Sequence, residues 1–131
     1  MIARRYQDLI CWQLARELEQ LVFELTATGP VSKDFKFRDQ IRDSSSSATR
    51  NMAEGFGRFY ADDHARFLII GRSSLMETHN SAGAGLGFGY FSVEDTDRMQ
   101  RLAARSGKAA TGLINYLKSL PPGSPWRRGR R

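Results

Sequence analysis

The feature that most constrains the fold is a helical period that runs without interruption through residues 37–59. Residues that repeat with a period of about 3.6 form one narrow stripe: Phe37, Ile41, Ser45, Ala48, Met52, Phe56 and Phe59. Four consecutive serines, 44–47, lie inside this stretch, but the spacing continues through them, which argues against a linker. Their hydroxyls can bond carbonyls of the preceding turn. The small residues in the middle of the stripe predict a bundle helix that a neighbour approaches closely.

The rest of the chain predicts three further helices. Three of the four prolines fall within residues 121–131, so the body is free for long helices. We predict helices at about 8–28, 36–59, 62–86 and 93–120, with Asp8 and Ser92 as N-cap residues. The expected core stripe of the third helix includes Leu68, Leu75, Ala82 and Leu86. That of the fourth includes Met99, Leu102, Ser106, Ala109, Leu113, either Tyr116 or Leu117, and Leu120. Short loops between four amphipathic helices predict an all-α, antiparallel up-down-up-down four-helix bundle over residues 1–120.

Cysteine, histidine and hydropathy patterns exclude several classes of protein. The chain has 131 residues and one cysteine, Cys11, so an intramolecular disulfide or a cysteine-based zinc site is excluded. His64 and His79 lie far apart, and we expect no metal and no cofactor. The first residues lack the pattern of a signal peptide, and no stretch approaches the roughly 20 apolar residues of a membrane span. We therefore expect a soluble, cytoplasmic protein without a membrane partner.

The positive charge is concentrated at one end of the sequence. The formal net charge is +6, and Arg127, Arg128, Arg130 and Arg131 supply four of those charges. Residues 1–126 hold sixteen basic against fourteen acidic residues. The sequence therefore predicts a nearly neutral bundle followed by a flexible basic tail at residues 121–131.

Candidate nucleic-acid contacts come from this tail and from the second helix. Arg50, Glu54 and Arg58 are spaced at i, i+4 and i+8, which predicts either a solvated salt-bridged face or arginines that contact phosphate. Arginines at a terminus can neutralise phosphates, and Trp126 before them could stack on an unpaired base; a solvated tail is the alternative. The candidate nucleic-acid contacts are Arg50, Arg58, Arg127, Arg128, Arg130 and Arg131.

Other residues are candidates for contacts between helices or subunits. Trp12 and Phe23 project away from the leucine stripe of the first helix, which indicates either cover by a neighbouring helix or loop, or a subunit contact. Asn51 and Glu54 are interpreted as helix or subunit contacts. No nucleophile, metal-ligand or phosphate-loop pattern is present, so we predict no enzymatic activity and no catalytic residue.

Three segments resemble a known family. They are YQDLICWQLARELEQLVFELT, FRDQIRDSSSSATRNMAEGFGR and ARFLIIGRSSLMET, and DLICWQ, QIRDSSSS and NMAEGFGR are their most specific parts. Over about residues 6–120 the chain resembles bacterial four-helix-bundle proteins related to those encoded in intervening sequences of 23S ribosomal RNA genes. The chain departs from the family at Ala48 and Thr49, where an apolar residue and a proline are common, in the glycine-rich segment 83–89, and in the arginine tail.

The resemblance implies a left-handed four-helix bundle that assembles into a homopentamer without established enzymatic activity. Similar pentameric bundles assist reverse transcriptases in diversity-generating retroelements and contact nucleic acid through a basic ring surface. We therefore predict a non-enzymatic, oligomeric helical-bundle protein that binds RNA or DNA by charge and shape. The alternative is a structural scaffold or protein-interaction module that does not bind nucleic acid.

Overall fold

The computed structural model describes residues 3–126, which form four α-helices and two short 3-10 helices. The α-helices are α1 (Ile10–Leu25), α2 (Phe35–Phe56), α3 (Ala61–Gly87) and α4 (Val93–Lys118). One 3-10 helix, Tyr6–Asp8, precedes α1, and the other, Pro30–Lys33, connects α1 to α2. No strand occurs within residues 3–126, which confirms the all-α class.

The helices pack in a closed order in which α1 contacts α2, α2 contacts α3, α3 contacts α4, and α4 returns to α1. Each helix contributes its apolar stripe to one common core. The stripe predicted for α2 is confirmed from Ile41 to Phe56, because Ile41, Ser45, Ala48, Met52 and Phe56 are all buried. Phe59 lies beyond the end of the helix and is only half-buried.

The helix boundaries differ from the predicted ones where a cap or a turn intervenes. Asp8 does not cap α1; its carboxylate accepts the Arg4 and Arg5 backbone N–H groups, and α1 begins at Ile10. Asp34 caps α2 instead, accepting the N–H of Phe37 at 3.2 Å. The predicted cap of α4 is confirmed, since Ser92 Oγ accepts the Asp95 N–H at 3.0 Å.

The serine run forms a polar seam between α2 and its neighbours. Ser44 Oγ lies 2.7 Å from Thr78 Oγ1, and Ser47 Oγ lies 2.9 Å from Ser74 Oγ, so two hydroxyl pairs join α2 to α3. Gly71 of α3 faces this seam, where a Cβ would stand 3.2 Å from the carbonyl oxygen of residue 48. The close approach predicted from the small middle of the stripe is therefore confirmed.

The core stripes of α3 and α4 differ in detail from the prediction. In α4 the fully buried positions are Ala110 and Ile114, whereas Ala109 and Leu113 are half-buried. In α3, Leu86 is 39% exposed, because the last turn buries Gly85 instead, against Phe91. A Cβ at position 85 would overlap the Phe91 ring, so the glycine makes room for an aromatic side chain from the following loop.

Candidate nucleic-acid interface

The predicted charge ladder on α2 forms only in part. The Arg58 guanidinium lies 3.1 Å from the Glu54 carboxylate, as i, i+4 spacing predicts. Arg50 instead lies 3.8 Å from Asp43. All four side chains are at least two-fifths exposed, so each pair contributes no more than about 1 kcal/mol to folding. Arg50 therefore lies apart, on the solvent face of α2, and Arg58 marks the end of the helix.

Arg58 takes part in a cluster that also includes Phe67 and Arg66 of α3. The Arg58 guanidinium carbon lies 4.7 Å from the centre of the Phe67 ring, and that of Arg66 lies 4.6 Å from it. Both distances fall within the range of cation–π attraction. Arg66 also lies 3.7 Å from the Asp63 carboxylate. One ring thus holds two guanidinium groups beside the α2–α3 turn, and we name Arg58, Phe67 and Arg66 the arginine–phenylalanine cluster.

A glycine brings the two helices close enough to build this cluster. A Cβ at Gly55 would stand 2.9 Å from Cδ2 of His64, 3.0 Å from Cβ of Phe67 and 3.1 Å from the carbonyl oxygen of His64. The sequence indicates that Gly55 and Gly57 mark either a tight turn or a close approach of two backbones. Gly55 is the close approach, whereas Gly57 is the C-cap of α2 with an ordinary φ of −75°.

Residues 121–126, which we name the strap, run back over the α2–α3 turn. The Ser124 carbonyl accepts the Ala61 N–H at 2.9 Å, which satisfies a backbone donor at the start of α3. The Trp126 backbone N–H donates to the Phe59 carbonyl at 3.2 Å, and Pro125 forms a bridge with Tyr60. The sequence predicts these residues as the start of a flexible tail. Backbone pairing with the turn places them on the bundle instead.

The indole of Trp126 anchors the strap. Its Nε1–H donates to the Arg58 carbonyl at 2.7 Å, and its ring packs 5.0 Å from the Phe56 ring and 4.4 Å from the buried His64 ring. The sequence suggests Trp126 as a platform for an unpaired base. In the structure its ring and its N–H are both engaged with the protein.

The formal charges at this turn balance. The cations are Arg58, Arg66 and Lys118, and the anions are Glu54, Asp62 and Asp63. Arg66 and Lys118 both line an open groove of about 300 Å³ between α3 and α4, together with Asp62, Ala65, Ile69 and Ile70. Arg127, Arg128, Arg130 and Arg131 lie outside the described residues and follow Trp126 directly in the sequence. The six charged side chains named here therefore contribute no net positive charge.

The predicted helix or subunit contacts have partners within the chain. Trp12 is half-buried and meets Tyr6 edge-on, with ring centres 5.2 Å apart. Phe23 is 39% exposed, and the guanidinium of Arg42 lies 4.6 Å from its ring centre. Asn51 Nδ2 donates to the carbonyl of residue 47 within α2 at 2.8 Å. Trp12 and Phe23 therefore each contact another segment of the same chain, and the subunit contact stays a prediction.

Cys11, Asp34 and Tyr90 lie outside this turn, and their surroundings shift their pKa values. Burial raises the pKa of the Cys11 thiol to about 11. The Tyr90 hydroxyl donates to the Asp34 carboxylate at 2.6 Å, which lowers the pKa of Asp34 and raises that of Tyr90. Within residues 3–126, no group of three or more His, Cys, Asp or Glu side chains is arranged to hold a metal ion. None of the helices in that range is long and apolar enough to cross a membrane.

Sequence reasoning missed Arg66, Phe67 and Lys118 as members of this site. One signal was available, because an Arg-Phe dipeptide stands on each side of the α2–α3 turn, at 58–59 and at 66–67. Only the close approach at Gly55 shows that the second phenylalanine lies beside the first arginine.

A model of a known protein family matches most of the bundle but not the strap. The family model described as 23S rRNA-intervening sequence protein matches residues 7–112. The match begins in the first 3-10 helix and ends within α4, so the strap and the four arginines after it lie beyond the matched residues. No curated protein matches the chain significantly.

Proposed function

The chain belongs to the 23S rRNA-intervening sequence protein family, and we propose that it is a non-enzymatic, oligomeric protein that binds the phosphate backbone of RNA or DNA at its α2–α3 turn. The observation that carries the proposal is the arginine–phenylalanine cluster beside Trp126, which four arginines follow in the sequence. The proposal assigns no catalytic residue and no cofactor.

Stacking on Phe67 suits both arginines for phosphate recognition. A guanidinium that rests on an aromatic face can still present N–H groups to phosphate oxygens. Phosphate would compete here with Glu54 for Arg58 and with Asp63 for Arg66. Holding the group in advance also reduces the side-chain entropy lost on binding. Side-chain exposures of 42% for Arg58 and 58% for Arg66 leave both accessible to a ligand.

Charge balance limits what the cluster can do without the tail. Because three cations face three carboxylates at the turn, the described surface has little net attraction for a polyanion. The four arginines at 127, 128, 130 and 131 would supply the long-range attraction, and the cluster would supply fixed contacts. The predicted contact Arg50 lies apart on α2, paired with Asp43, so we propose a lesser role for it.

The assembly and topology are also proposals. The closed order of helix contacts, together with connections as short as residues 57–60 and 88–92, supports an up-down-up-down bundle. Left-handedness, a homopentamer and a cytoplasmic location are implied by the family resemblance. Exposed apolar side chains at the start of α2, after α3 and at the start of α4 support self-association, since Phe35 is 63% exposed, Phe88 65% and Val93 67%.

The test is binding of a labelled 23S rRNA fragment, measured by filter retention across a salt series. Arg58→Ala combined with Arg66→Ala should lower affinity and reduce the slope of log K against log salt by roughly 2, about one for each phosphate that an arginine no longer neutralises. The matched control is Arg101→Ala in α4, which removes an arginine 75% exposed that also pairs at i, i+4, here with Asp97. The control should bind as the unmodified protein does.

Two outcomes would contradict the proposal. One is absent or salt-independent binding by the unmodified protein. The other is a loss of log K per removed arginine that is the same in the double variant and in the Arg101→Ala control, which would mean that only total charge matters. Either outcome, with an oligomeric mass in sedimentation, would favour the scaffold, a role that the exposed Phe35, Phe88 and Val93 also support.

A further inference from the structure

The strap is held at several points rather than by one contact. Its backbone caps the start of α3 through Ser124 and pairs with the turn through Trp126. The Gly123 N–H also points to the Asp62 carboxylate at 3.4 Å. A single exposed hydrogen bond would exchange readily with water, but bonds closed around a packed indole open together. The strap and the turn therefore form one cooperative unit.

The sequence of the strap favours the closed state. Pro121, Pro122 and Pro125 fix three φ angles and so reduce the freedom that the open chain would gain. Gly123 adopts φ +78°, a left-handed conformation that glycine takes without strain. The resulting turn is closed by the Ser124 N–H, which donates to the Pro121 carbonyl at 3.1 Å. Only Trp126 contributes a large apolar side chain, so the closed state depends mainly on that residue.

We propose that Trp126 is a positioning residue that fixes the point where the arginine run begins, beside Arg58 and Arg66, so that tail and cluster bind the same phosphodiester backbone. The proposal rests on the proposed function and adds how the tail is placed. Residue 127 is bonded to Trp126, whose indole N–H donates to the Arg58 carbonyl at 2.7 Å. The covalent link thus starts the basic run at the arginine–phenylalanine cluster.

Release of the strap would disperse those charges without removing any. Seven residues separate Lys118, the last residue of α4, from Trp126. A flexible segment of that length has a mean end-to-end distance of roughly 15 Å. Trp126 would then no longer be held at the Arg58 carbonyl, and the effective concentration of the basic run near the cluster would fall.

The experiment compares Trp126→Ala with deletion of residues 127–131 in the rRNA filter assay. Trp126→Ala keeps every charge, so we expect affinity to fall about threefold to tenfold through the lower effective concentration. The deletion should reduce affinity further and should also flatten the salt dependence. Trp126→Phe, which retains a ring but lacks the indole N–H, should fall between the unmodified protein and Trp126→Ala. Circular dichroism checks that each variant is folded. If Trp126→Ala folds poorly, Trp126→Phe still tests the proposal.

A second measurement reports the strap without nucleic acid. The chain has two tryptophans, so Trp12→Phe leaves Trp126 as the sole indole fluorophore. We expect its emission to be blue-shifted and shielded from iodide, compared with a peptide of residues 119–131. Hydrogen exchange should show a protected Ala61 amide that loses protection in Trp126→Ala, while the Ala110 amide in α4 stays protected.

The outcomes separate this inference from the proposed function. Freely quenched Trp126 in a folded protein would overturn the strap. Binding by Trp126→Ala and Trp126→Phe that equals the unmodified protein would overturn the positioning role and leave the proposed function intact. Absence of binding by the unmodified protein would refute both, even with a shielded indole.

Discussion

Substitution of Gly55 by alanine tests the close approach of α2 and α3 on which the site depends. The new Cβ would meet Cδ2 of His64 at 2.9 Å, Cβ of Phe67 at 3.0 Å and the His64 carbonyl oxygen at 3.1 Å. Two of these three atoms belong to the backbone or to a Cβ and cannot move without shifting α3. Overpacking of this kind costs about 1–3 kcal/mol, and rigid neighbours place this site near the upper end.

Helix propensity acts in the opposite direction at Gly55. Alanine is favoured over glycine by about 1 kcal/mol inside a helix, and by less in the last turn, where Gly55 stands. The expected net effect of Gly55→Ala is a decrease of about 2 kcal/mol in the free energy of unfolding.

Gly107→Ala in α4 is the matched control. Position 107 lies inside the helix, and no atom beyond its own helix backbone and chain neighbours comes within 4 Å of an added Cβ. Propensity should act there unopposed and raise the free energy of unfolding by about 0.5–1 kcal/mol. The same substitution is thus expected to change stability in opposite directions at the two sites.

Urea unfolding followed by circular dichroism measures both changes at one protein concentration. The midpoint should fall for Gly55→Ala and rise for Gly107→Ala, with m-values unchanged. Because Phe67 must move, Gly55→Ala should also weaken rRNA binding under the proposed function. A Gly55→Ala protein as stable as the unmodified one would show that the helices do not meet at this distance. Destabilisation by Gly107→Ala would refute the propensity argument.

Two further predictions concern titratable groups. The folded pKa of Asp34 lies below its unfolded value, so its contribution to stability is present above about pH 4 and is lost as pH falls through the folded pKa. The folded pKa of Tyr90 is raised, so its contribution to stability is present below about pH 10 and is lost as pH rises through the folded pKa. The stability difference between the unmodified protein and Tyr90→Phe should therefore be largest near neutral pH and vanish at both extremes in urea titrations; a constant difference would refute the hydrogen bond. Because burial raises the pKa of Cys11 to about 11, its thiol should react with Ellman's reagent near pH 8 only at the rate of unfolding, and a rapid reaction in the native protein would contradict the burial.

Local sequence signals were sufficient for the helices and for several of their ends. The stripe from Ile41 to Phe56 needed only a period of about 3.6 residues, since residues so spaced share a helix face in any environment. The Ser92 cap is predicted on similar grounds, because a serine hydroxyl three residues before a free N–H completes the same geometry in most helices. Asp8 failed as a cap because the N–H groups of two preceding residues compete for its carboxylate.

Periodicity alone could not predict which face of each helix is turned towards the core. Two adjacent stripes on α4, one through Ala109 and Leu113 and one through Ala110 and Ile114, have the same spacing and similar hydrophobicity. Packing against α1 and α3 decides between them and buries the second. The site was missed for the same reason, because Arg66 and Phe67 become partners of Arg58 only when α3 packs on α2.

The sequence by itself determined that this chain forms four helices, that small residues in its second helix permit close packing, and that four of its six net positive charges lie after residue 126. Only the tertiary structure decided where Trp126, the last residue before those arginines, lies. The strap looks too polar and too rich in proline and glycine to pack, because its own composition contains a single large apolar ring. That ring is bound by Phe56, His64 and the Arg58 carbonyl, which lie about sixty or more residues earlier and which no local pattern connects to it. Periodicity shows which side chains of a segment can be buried. The surface that buries them is formed by distant segments, so only the tertiary structure shows which residues cover them.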